Sequence, residues 1–186
     1  MSHKVCPWWI GYFLASPLRR LVHNPTTILH PFVTEGMIVF EPGPGMGYFT
    51  LELAQLVGLQ GRVVAVDVQP QMLLELRRRA EKAGLLDRID ARQGPGDGMG
   101  LDDLMGQVDF VLAFGVVHEL PSTERFFAEV SNVLKSGRRL LLAEPYFGVS
   151  KQEFAATLKI ADQNGFRVDS WPAIRWTRSA ALVKHH

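Results

Sequence analysis

Three alternating glycines, Gly43, Gly45 and Gly47, close the segment Met37-Ile-Val-Phe-Glu-Pro-Gly-Pro-Gly-Met-Gly47 after an apolar run and an acid. Glycine tolerates positive φ angles and has no Cβ to hold a ligand away from the backbone. A helix expected to begin near Gly47 would also present unpaired N–H groups. The segment therefore predicts a strand, a turn that can cradle a nucleotide, and a helix.

A second candidate is Asp67, which ends the apolar run Arg62-Val-Val-Ala-Val-Asp67 and stands 20 positions after Gly47. At this spacing a ribose-binding acid follows a glycine loop. The alternative is structural, because a carboxylate here can cap the helix that Pro70 opens. We expect the ribose role.

The register of the glycines helps to choose the ligand. Dinucleotide-binding folds usually carry G-x-G-x-x-G, but here Tyr48 occupies the position of the third glycine. Together with Glu41 the loop reads E-x-G-x-G-x-G, which resembles the first motif of the class I S-adenosylmethionine (SAM) methyltransferases of type 11/25. SAM has no phosphate, so its loop needs close backbone approach more than anion capture. An NAD-dependent oxidoreductase is the less favoured alternative.

The resemblance continues in motif order over residues 35 to 186. The run Asp67-Val-Gln-Pro-Gln-Met-Leu73 is similar to the second-strand acid and the helix that follows it. Residues 108–121 are similar to the fourth strand and its following segment, and 133–145 to the turn into strand five. Ser136 and Arg138 replace two residues of that turn, whereas Gly137 remains. The sequence is thus identified as a member of this family.

From residue 37 onward, short apolar runs alternate with amphipathic ones, which predicts an α/β fold with helices covering a parallel sheet. Strands are expected near 37–41, 62–67, 88–93, 108–113 and 138–143, and helices near 47–57, 70–83, 101–105, 123–134 and 150–164. Two further runs, 166–171 and 176–183, predict an antiparallel pair. The family resemblance implies a Rossmann-like three-layer sandwich with a seven-stranded, mostly parallel sheet of order 3-2-1-4-5-7-6, in which strand 7 is antiparallel. Ligands of open α/β sheets bind at strand carboxyl ends, here above Glu41 and 111–113.

The resemblance implies SAM as the cofactor, with S-adenosylhomocysteine as the product. Asp67 would accept the ribose hydroxyls. Glu41 would take loop N–H bonds or, through water, the methionine ammonium, or would only brace the loop. The full set of expected cofactor-binding residues is Glu41, Gly43, Pro44, Gly45, Gly47, Asp67, Val68, Met72, Asp97, Ala113 and Phe114.

Other members of this set have separate expected roles. Val68 and Met72 would flank the adenine, with ordinary core packing as their alternative. Asp97, after Gly94-Pro95, would reach the adenine amino group. Ala113 and Phe114, at the end of strand four, would lie beside the methionine part.

Methyl transfer from a sulfonium mainly requires alignment of donor and acceptor, so no protein nucleophile is expected. His118 is the candidate general base, because an imidazole near neutral pKa could deprotonate an acceptor hydroxyl. The alternative is a histidine that only packs or bonds the backbone. Glu144 and Tyr146, after strand five, are further possible acceptor contacts.

The amino-acid composition limits the classes of partner that the chain is expected to bind. The 20 Lys and Arg residues against 19 Asp and Glu residues leave a net charge of +1, which disfavours nucleic acid and favours a small-molecule acceptor. The only basic run, Arg77-Arg78-Arg79, is interpreted as a solvated helix face.

Cys6 is the single cysteine, which excludes an internal disulfide and favours a cytoplasmic protein, and no metal site is expected. We expect neither a signal peptide nor a membrane span. The oligomeric state stays open.

The expected organisation is a helical cap or lid over residues 1–36 followed by the SAM-binding domain over 37–186. The aromatic side chains of Trp8, Trp9, Tyr12 and Phe13 suit a lid, but they could equally pack on the sheet. The predicted function is SAM-dependent methyl transfer to a small molecule, and the alternative is a SAM-binding partner or regulatory protein without turnover.

Overall fold

A computed structural model describes residues 17–95 and 98–185. Its seven strands form one sheet in the order β3-β2-β1-β4-β5-β7-β6. The strands are β1 (Ile38–Pro42), β2 (Arg62–Asp67), β3 (Ile89–Gln93), β4 (Val108–Phe114), β5 (Leu134–Pro145), β6 (Phe166–Ser170) and β7 (Thr177–Lys184). Strand β7 is antiparallel to both β5 and β6. The predicted fold class and strand order are confirmed.

The α-helices that flank this sheet are α1 (Pro25–Leu29), α2 (Thr50–Leu56), α3 (Pro70–Lys82), α4 (Thr123–Val133) and α5 (Lys151–Gln163). Short 3₁₀ turns cover Pro17–Leu21, Leu86–Arg88, Asp102–Leu104 and Val117–Glu119. Within the described residues, no helix combines the length and apolar character needed to cross a bilayer. The helix predicted at 101–105 is in the structure the single 3₁₀ turn Asp102–Leu104.

The first of two compact units comprises the described residues 17–95, with β1 to β3 and α1 to α3. Its strands β1 and β2 are apolar runs buried on both faces, as expected for parallel strands that helices cover. Helix α3 begins with Pro70 at its first turn and ends before Gly84, whose φ is +67°. Because β1 and β2 are adjacent and parallel, the loops that follow them lie at the same carboxyl edge of the sheet.

The second unit comprises the described residues 98–185, with β4 to β7, α4 and α5. Helix α4 is capped by the Ser122 hydroxyl, which accepts the Arg125 N–H. Helix α5 begins with a capping box, in which Ser150 and Glu153 satisfy each other's backbone N–H groups. Because β4 and β5 are parallel, their carboxyl ends and the turns that follow lie at one edge.

Candidate functional site

The loop after β1 is a glycine turn with left-handed backbone at three positions. The φ angles of Gly43, Gly45 and Gly47 are +62°, +55° and +82°. A Cβ added at Gly47 would collide with the Leu76 side chain on α3, whereas one at Gly45 would meet no atom within 4 Å. Gly47 therefore lets the loop pack closely on α3, and Gly45 faces open space.

Asp67 joins this loop to the turn before α3. Its Oδ2 accepts the Gly45 N–H at 3.3 Å, and its Oδ1 accepts the Gln69 N–H at 2.9 Å. The side chain is buried, with the residue only 8% exposed. The bond to Gln69 holds the turn that leads to Pro70, whereas the N-cap residue of α3 is Gln69 itself. A carboxylate can accept about four hydrogen bonds, so this role is compatible with a ligand role.

Glu41 lies buried at the end of β1, and its Oε2 accepts the hydroxyl proton of Thr50 at 2.7 Å. The partner is thus a side chain at the start of α2, whereas bonds from loop N–H groups were one of the expected roles. Burial raises the pKa of Glu41 to about 7, against the opposing effects of the Thr50 hydrogen bond and the Arg19 charge. The carboxyl group is consequently close to half-ionised at neutral pH.

Two arginines that the sequence interpretation missed support the loop. The Arg79 Nη1 donates to the Met46 carbonyl at 2.5 Å, so one member of the basic run serves the loop rather than solvent. The Arg19 guanidinium lies 4.6 Å from the centroid of the Tyr48 ring, and the Tyr48 hydroxyl donates to the His23 carbonyl at 2.7 Å. Tyr48, which replaces the third dinucleotide glycine, thereby links the loop to the segment before α1.

In the second unit, a histidine and a carboxylate meet after β4 and β5. The Nδ1 of His118 lies 2.5 Å from Oε2 of Glu144, whose other oxygen accepts the Val117 N–H at 2.9 Å. Glu144 is only 1% exposed, whereas the His118 side chain is 29% exposed. When the carboxylate oxygen is the acceptor of this bond, the proton of the neutral imidazole lies on Nδ1. The dyad therefore leaves Nε2 of His118 as the nitrogen that exchanges a proton.

The hydrogen bond to Glu144 raises the pKa of His118 above its usual value, and partial burial opposes this rise. Glu119 adds to it, with its Oε1 at 3.9 Å from Nε2. A higher pKa makes the neutral imidazole a stronger base. We had considered Glu144 only as an acceptor contact, so its pairing with His118 was missed.

The roles expected for the other site residues stay predictions, and the structure gives their burial. Pro44 and Met72 are buried, and Val68 is 47% exposed after β2. Ala113 is fully buried and Phe114 half-buried at the end of β4. Asp97 lies outside the described residues, as do Trp8, Trp9, Tyr12 and Phe13 of the expected lid.

The comparison with known families bears directly on this geometry. The model of the methyltransferase domain matches residues 39–137, just over half of the chain. The chain belongs to this methyltransferase family. The resemblance to class I SAM-dependent methyltransferases that the glycine loop and the strand order indicated is confirmed.

The chain also has distant curated relatives. It is similar to the ubiquinone/menaquinone biosynthesis C-methyltransferase UbiE of Marinomonas sp. (strain MWYL1), with 28% identity over 143 residues that cover 76% of this chain and 54% of the relative. The UbiE protein of Brucella canis (strain ATCC 23365 / NCTC 10854 / RM-666) is 27% identical over 139 residues, which cover 75% of this chain and 49% of the relative. The chain spans about half the length of these relatives.

Solved structures share the fold. A SAM-dependent methyltransferase from Aquifex aeolicus has a TM-score of 0.84 at 23% identity, with 96% of this chain and 98% of that chain covered. A methyltransferase solved with the Haloferax volcanii Trm112 activator has a TM-score of 0.76 at 18% identity, with coverage of 98% and 100%. The [4+2]-cyclase SpnF has a TM-score of 0.74 at 14% identity, with coverage of 87% and 81%. Because a cyclase shares the fold, the fold alone does not fix the reaction.

Proposed function

We propose that this methyltransferase binds SAM through its glycine loop and Asp67, and that it methylates a small molecule with release of S-adenosylhomocysteine. The observation that carries the proposal is the Asp67 carboxylate bonded to the Gly45 N–H, on a loop that is open at Gly45. This cradle fits a nucleoside, because a Cβ at Gly45 would occupy the space in front of the backbone.

In this proposal, Asp67 accepts the two ribose hydroxyls while Gly43 and Gly45 let the cofactor approach the backbone, and Gly47 lets the loop pack on α3. Val68 and Met72 would flank the adenine, and Asp97 would contact its amino group. Ala113 and Phe114 would lie beside the methionine part. Glu41 and Pro44 complete the loop, with the bond between Glu41 and Thr50 holding the loop to α2.

SAM supplies a methyl group on a positively charged sulfur, so the donor needs no further activation by the protein. The protein contributes alignment, which can lower a barrier by about 7–11 kcal/mol. For an acceptor with an acidic proton, the Nε2 of His118 takes that proton as general base. Glu144 is a positioning residue, since it fixes the ring and keeps the other proton on Nδ1.

Two observations support a small-molecule acceptor. The net charge of +1 gives the chain no strong field for a polyanion. The curated relatives are named as C-methyltransferases of ubiquinone/menaquinone biosynthesis, which favours a small organic acceptor here as well. The SAM-binding partner without turnover remains the alternative, and the assay below separates the two.

Calorimetry with SAM, S-adenosylhomocysteine and NAD tests the binding step. We expect both sulfur ligands to bind and NAD not to bind. Asp67→Asn should weaken SAM binding about tenfold to a hundredfold, because charged hydrogen bonds are worth about 1.5–3 kcal/mol. Asp87→Asn, at an exposed carboxylate of the same unit, is the matched control and should bind as the wild type does.

An unchanged SAM affinity in a folded Asp67→Asn protein would remove Asp67 from the site, and tight NAD binding alone would end the methyltransferase proposal. Turnover is then tested by incubation with SAM and a metabolite pool, with mass spectrometry of products heavier by one methylene. SAM binding without any product from such a pool would favour the partner without turnover.

A further inference from the structure

A cavity of about 590 Å³ opens within the second unit, between the turn after β5, the start of α5 and the loop before β7. Its volume lies in the range of about 300–1,000 Å³ that is typical of small-molecule sites. This cavity, here called the aromatic pocket, is lined by the aromatic side chains of Tyr146, Phe154, Trp171 and Trp176 and by the cationic side chains of Lys151, Arg175 and Arg178.

The aromatic pocket exposes large rings to solvent. Tyr146, Trp171 and Trp176 are 48%, 63% and 50% exposed. Exposed rings that share one cavity form a surface suited to a flat apolar ligand, because base-like and ring-like molecules stack on aromatic faces.

The charges of the aromatic pocket have a single sign. Two guanidinium groups already lie over its rings, that of Arg178 at 4.7 Å from the Tyr146 centroid and that of Arg175 at 4.8 Å from the Trp176 centroid. Lys151 is the third cation, and among the described residues that line the cavity there is no Asp or Glu. A guanidinium has five N–H donors, so one that lies over a ring can also donate to a carboxylate.

The loop that carries the two tryptophans is fixed in place. The hydroxyl of Ser179 donates to the Pro172 carbonyl at 2.6 Å, and that of Thr177 donates to the Ile174 carbonyl at 3.0 Å. Trp176 has a φ of +58°, a left-handed conformation that is rare for a bulky residue. Its carbonyl accepts the Tyr146 N–H at 3.0 Å. Such a conformation persists only where the surroundings enforce it, and it concentrates at ligand sites.

We infer that the aromatic pocket is a binding site for a planar aromatic carboxylate. The ring of the ligand stacks on Trp171 and Trp176, and its carboxylate pairs with Arg175 and Lys151. The hydrogen-bonded backbone of this loop lowers the ordering cost of binding, since the loop need not be ordered when the ligand arrives.

The turn Pro145–Val149 connects this pocket to the pair of His118 and Glu144. The Val149 carbonyl accepts the Arg178 Nε–H at 2.9 Å, and a Cβ at Gly148 would lie 3.7 Å from Nε2 of His118. The same short turn thus contacts a pocket arginine and the proposed base. Planar aromatic carboxylates are therefore the acceptor class that we assign, and this assignment, unlike the binding itself, rests on the proposed function.

Binding is tested by calorimetry with 2-naphthoate and its neutral analogue 2-naphthamide, in the absence of SAM. We expect the carboxylate to bind about tenfold more tightly than the amide at low salt, with a smaller difference at 0.5 M NaCl because salt screens exposed charges. Arg175→Gln should abolish most of this preference. Arg167→Gln, which removes an exposed arginine of β6 outside the pocket, should retain it.

Trp171→Leu should weaken both probes about fivefold, because it removes the stacking face and leaves the charges. Equal affinity of the two probes, no binding of either, or an unchanged preference in Arg175→Gln would overturn the inference. A separate SAM titration distinguishes the two proposals. Probe binding without SAM binding refutes the proposed function alone, and SAM binding without probe binding refutes the aromatic pocket alone.

Discussion

Replacement of Glu41 by glutamine should stabilise the protein above neutral pH although it alters a fully buried residue. Glutamine keeps the shape of the side chain and an oxygen that can accept the Thr50 hydroxyl proton. It removes the charge that burial makes costly, because the pKa of Glu41 is raised to about 7 by desolvation. The substitution therefore isolates the free energy of ionising one buried carboxyl group.

The size of the effect follows from the shift in pKa from 4.5 in the unfolded chain to about 7 in the folded protein. One pKa unit corresponds to about 1.36 kcal/mol, so the shift amounts to about 3 kcal/mol. Because the folded pKa is the higher one, the folded state holds the proton more tightly. The contribution to stability is complete below pH 4.5 and is lost as pH rises to about 7.

Urea denaturation from pH 5 to pH 8.5 measures this loss. The free energies of unfolding of wild type and Glu41→Gln should agree within about 1 kcal/mol at pH 5, and the variant should exceed wild type by about 2–3 kcal/mol at pH 8.5. Thr50→Val removes the hydroxyl that lowers the pKa of Glu41, so in this variant the loss of stability with rising pH should continue to a higher pH. Parallel curves for wild type and Glu41→Gln would refute the reasoning.

The same variant decides between the two roles expected for Glu41. A carboxylate that contacts the methionine ammonium through water would make SAM bind more tightly as pH rises through 7, and this dependence would disappear in Glu41→Gln. A residue that only braces the loop would leave the affinity of the variant within about threefold of wild type. Calorimetry at pH 6 and pH 8 separates these outcomes.

Two further substitutions test the loop and the dyad. Gly47→Ala should destabilise the protein by about 2–4 kcal/mol in urea denaturation, because it adds a collision with Leu76 to the cost of positive φ. Gly45→Ala should cost only about 1–2 kcal/mol, because it adds only the cost of positive φ. Equal losses of stability in the two variants would contradict the packing argument. Glu144→Gln removes the largest cause of the raised pKa of His118, so the rise of methyl-transfer rate with pH should move to lower pH and the plateau should fall; an unmoved profile would show that His118 is not the base.

Most of the element boundaries could be predicted from apolar runs and chemical stops. Strand β2 was predicted at 62–67 and forms there, because Gly61 and the terminal Asp67 bound a continuous apolar run. The first helix after the glycines was expected near residue 47 but begins at Thr50. The reason is that Gly47 has a positive φ and donates to the Pro44 carbonyl in a turn, a local geometry that composition does not reveal. Strand β5 likewise begins at Leu134, earlier than expected, because α4 passes directly into extended backbone.

Sequence spacing could predict only the part of the site that lies on neighbouring elements. Asp67 was found because a glycine loop and the next strand have a fixed separation. The pairing of His118 with Glu144 depends instead on the register of β4 with β5, in which Phe114 lies opposite Ala143. Such registers are set by tertiary packing, so a partner 26 residues away had no local signal. The aromatic pocket arises in the same way, from the pairing of Pro145 with Thr177.

The antiparallel insertion of β7 between β5 and β6 also governs the order in which this sheet can be completed. As the chain is synthesised, β6 appears before β7 but can join the sheet only through it. Until Thr177–Lys184 has emerged, β5 presents an unpaired edge that includes Leu140, Leu141 and Leu142. An exposed apolar edge is a template for pairing between chains, so aggregation of the nascent protein is favoured during this interval. Docking of β7 provides hydrogen-bond partners for β5 and β6 at the same time, so the last of the seven strands in chain order completes the sheet.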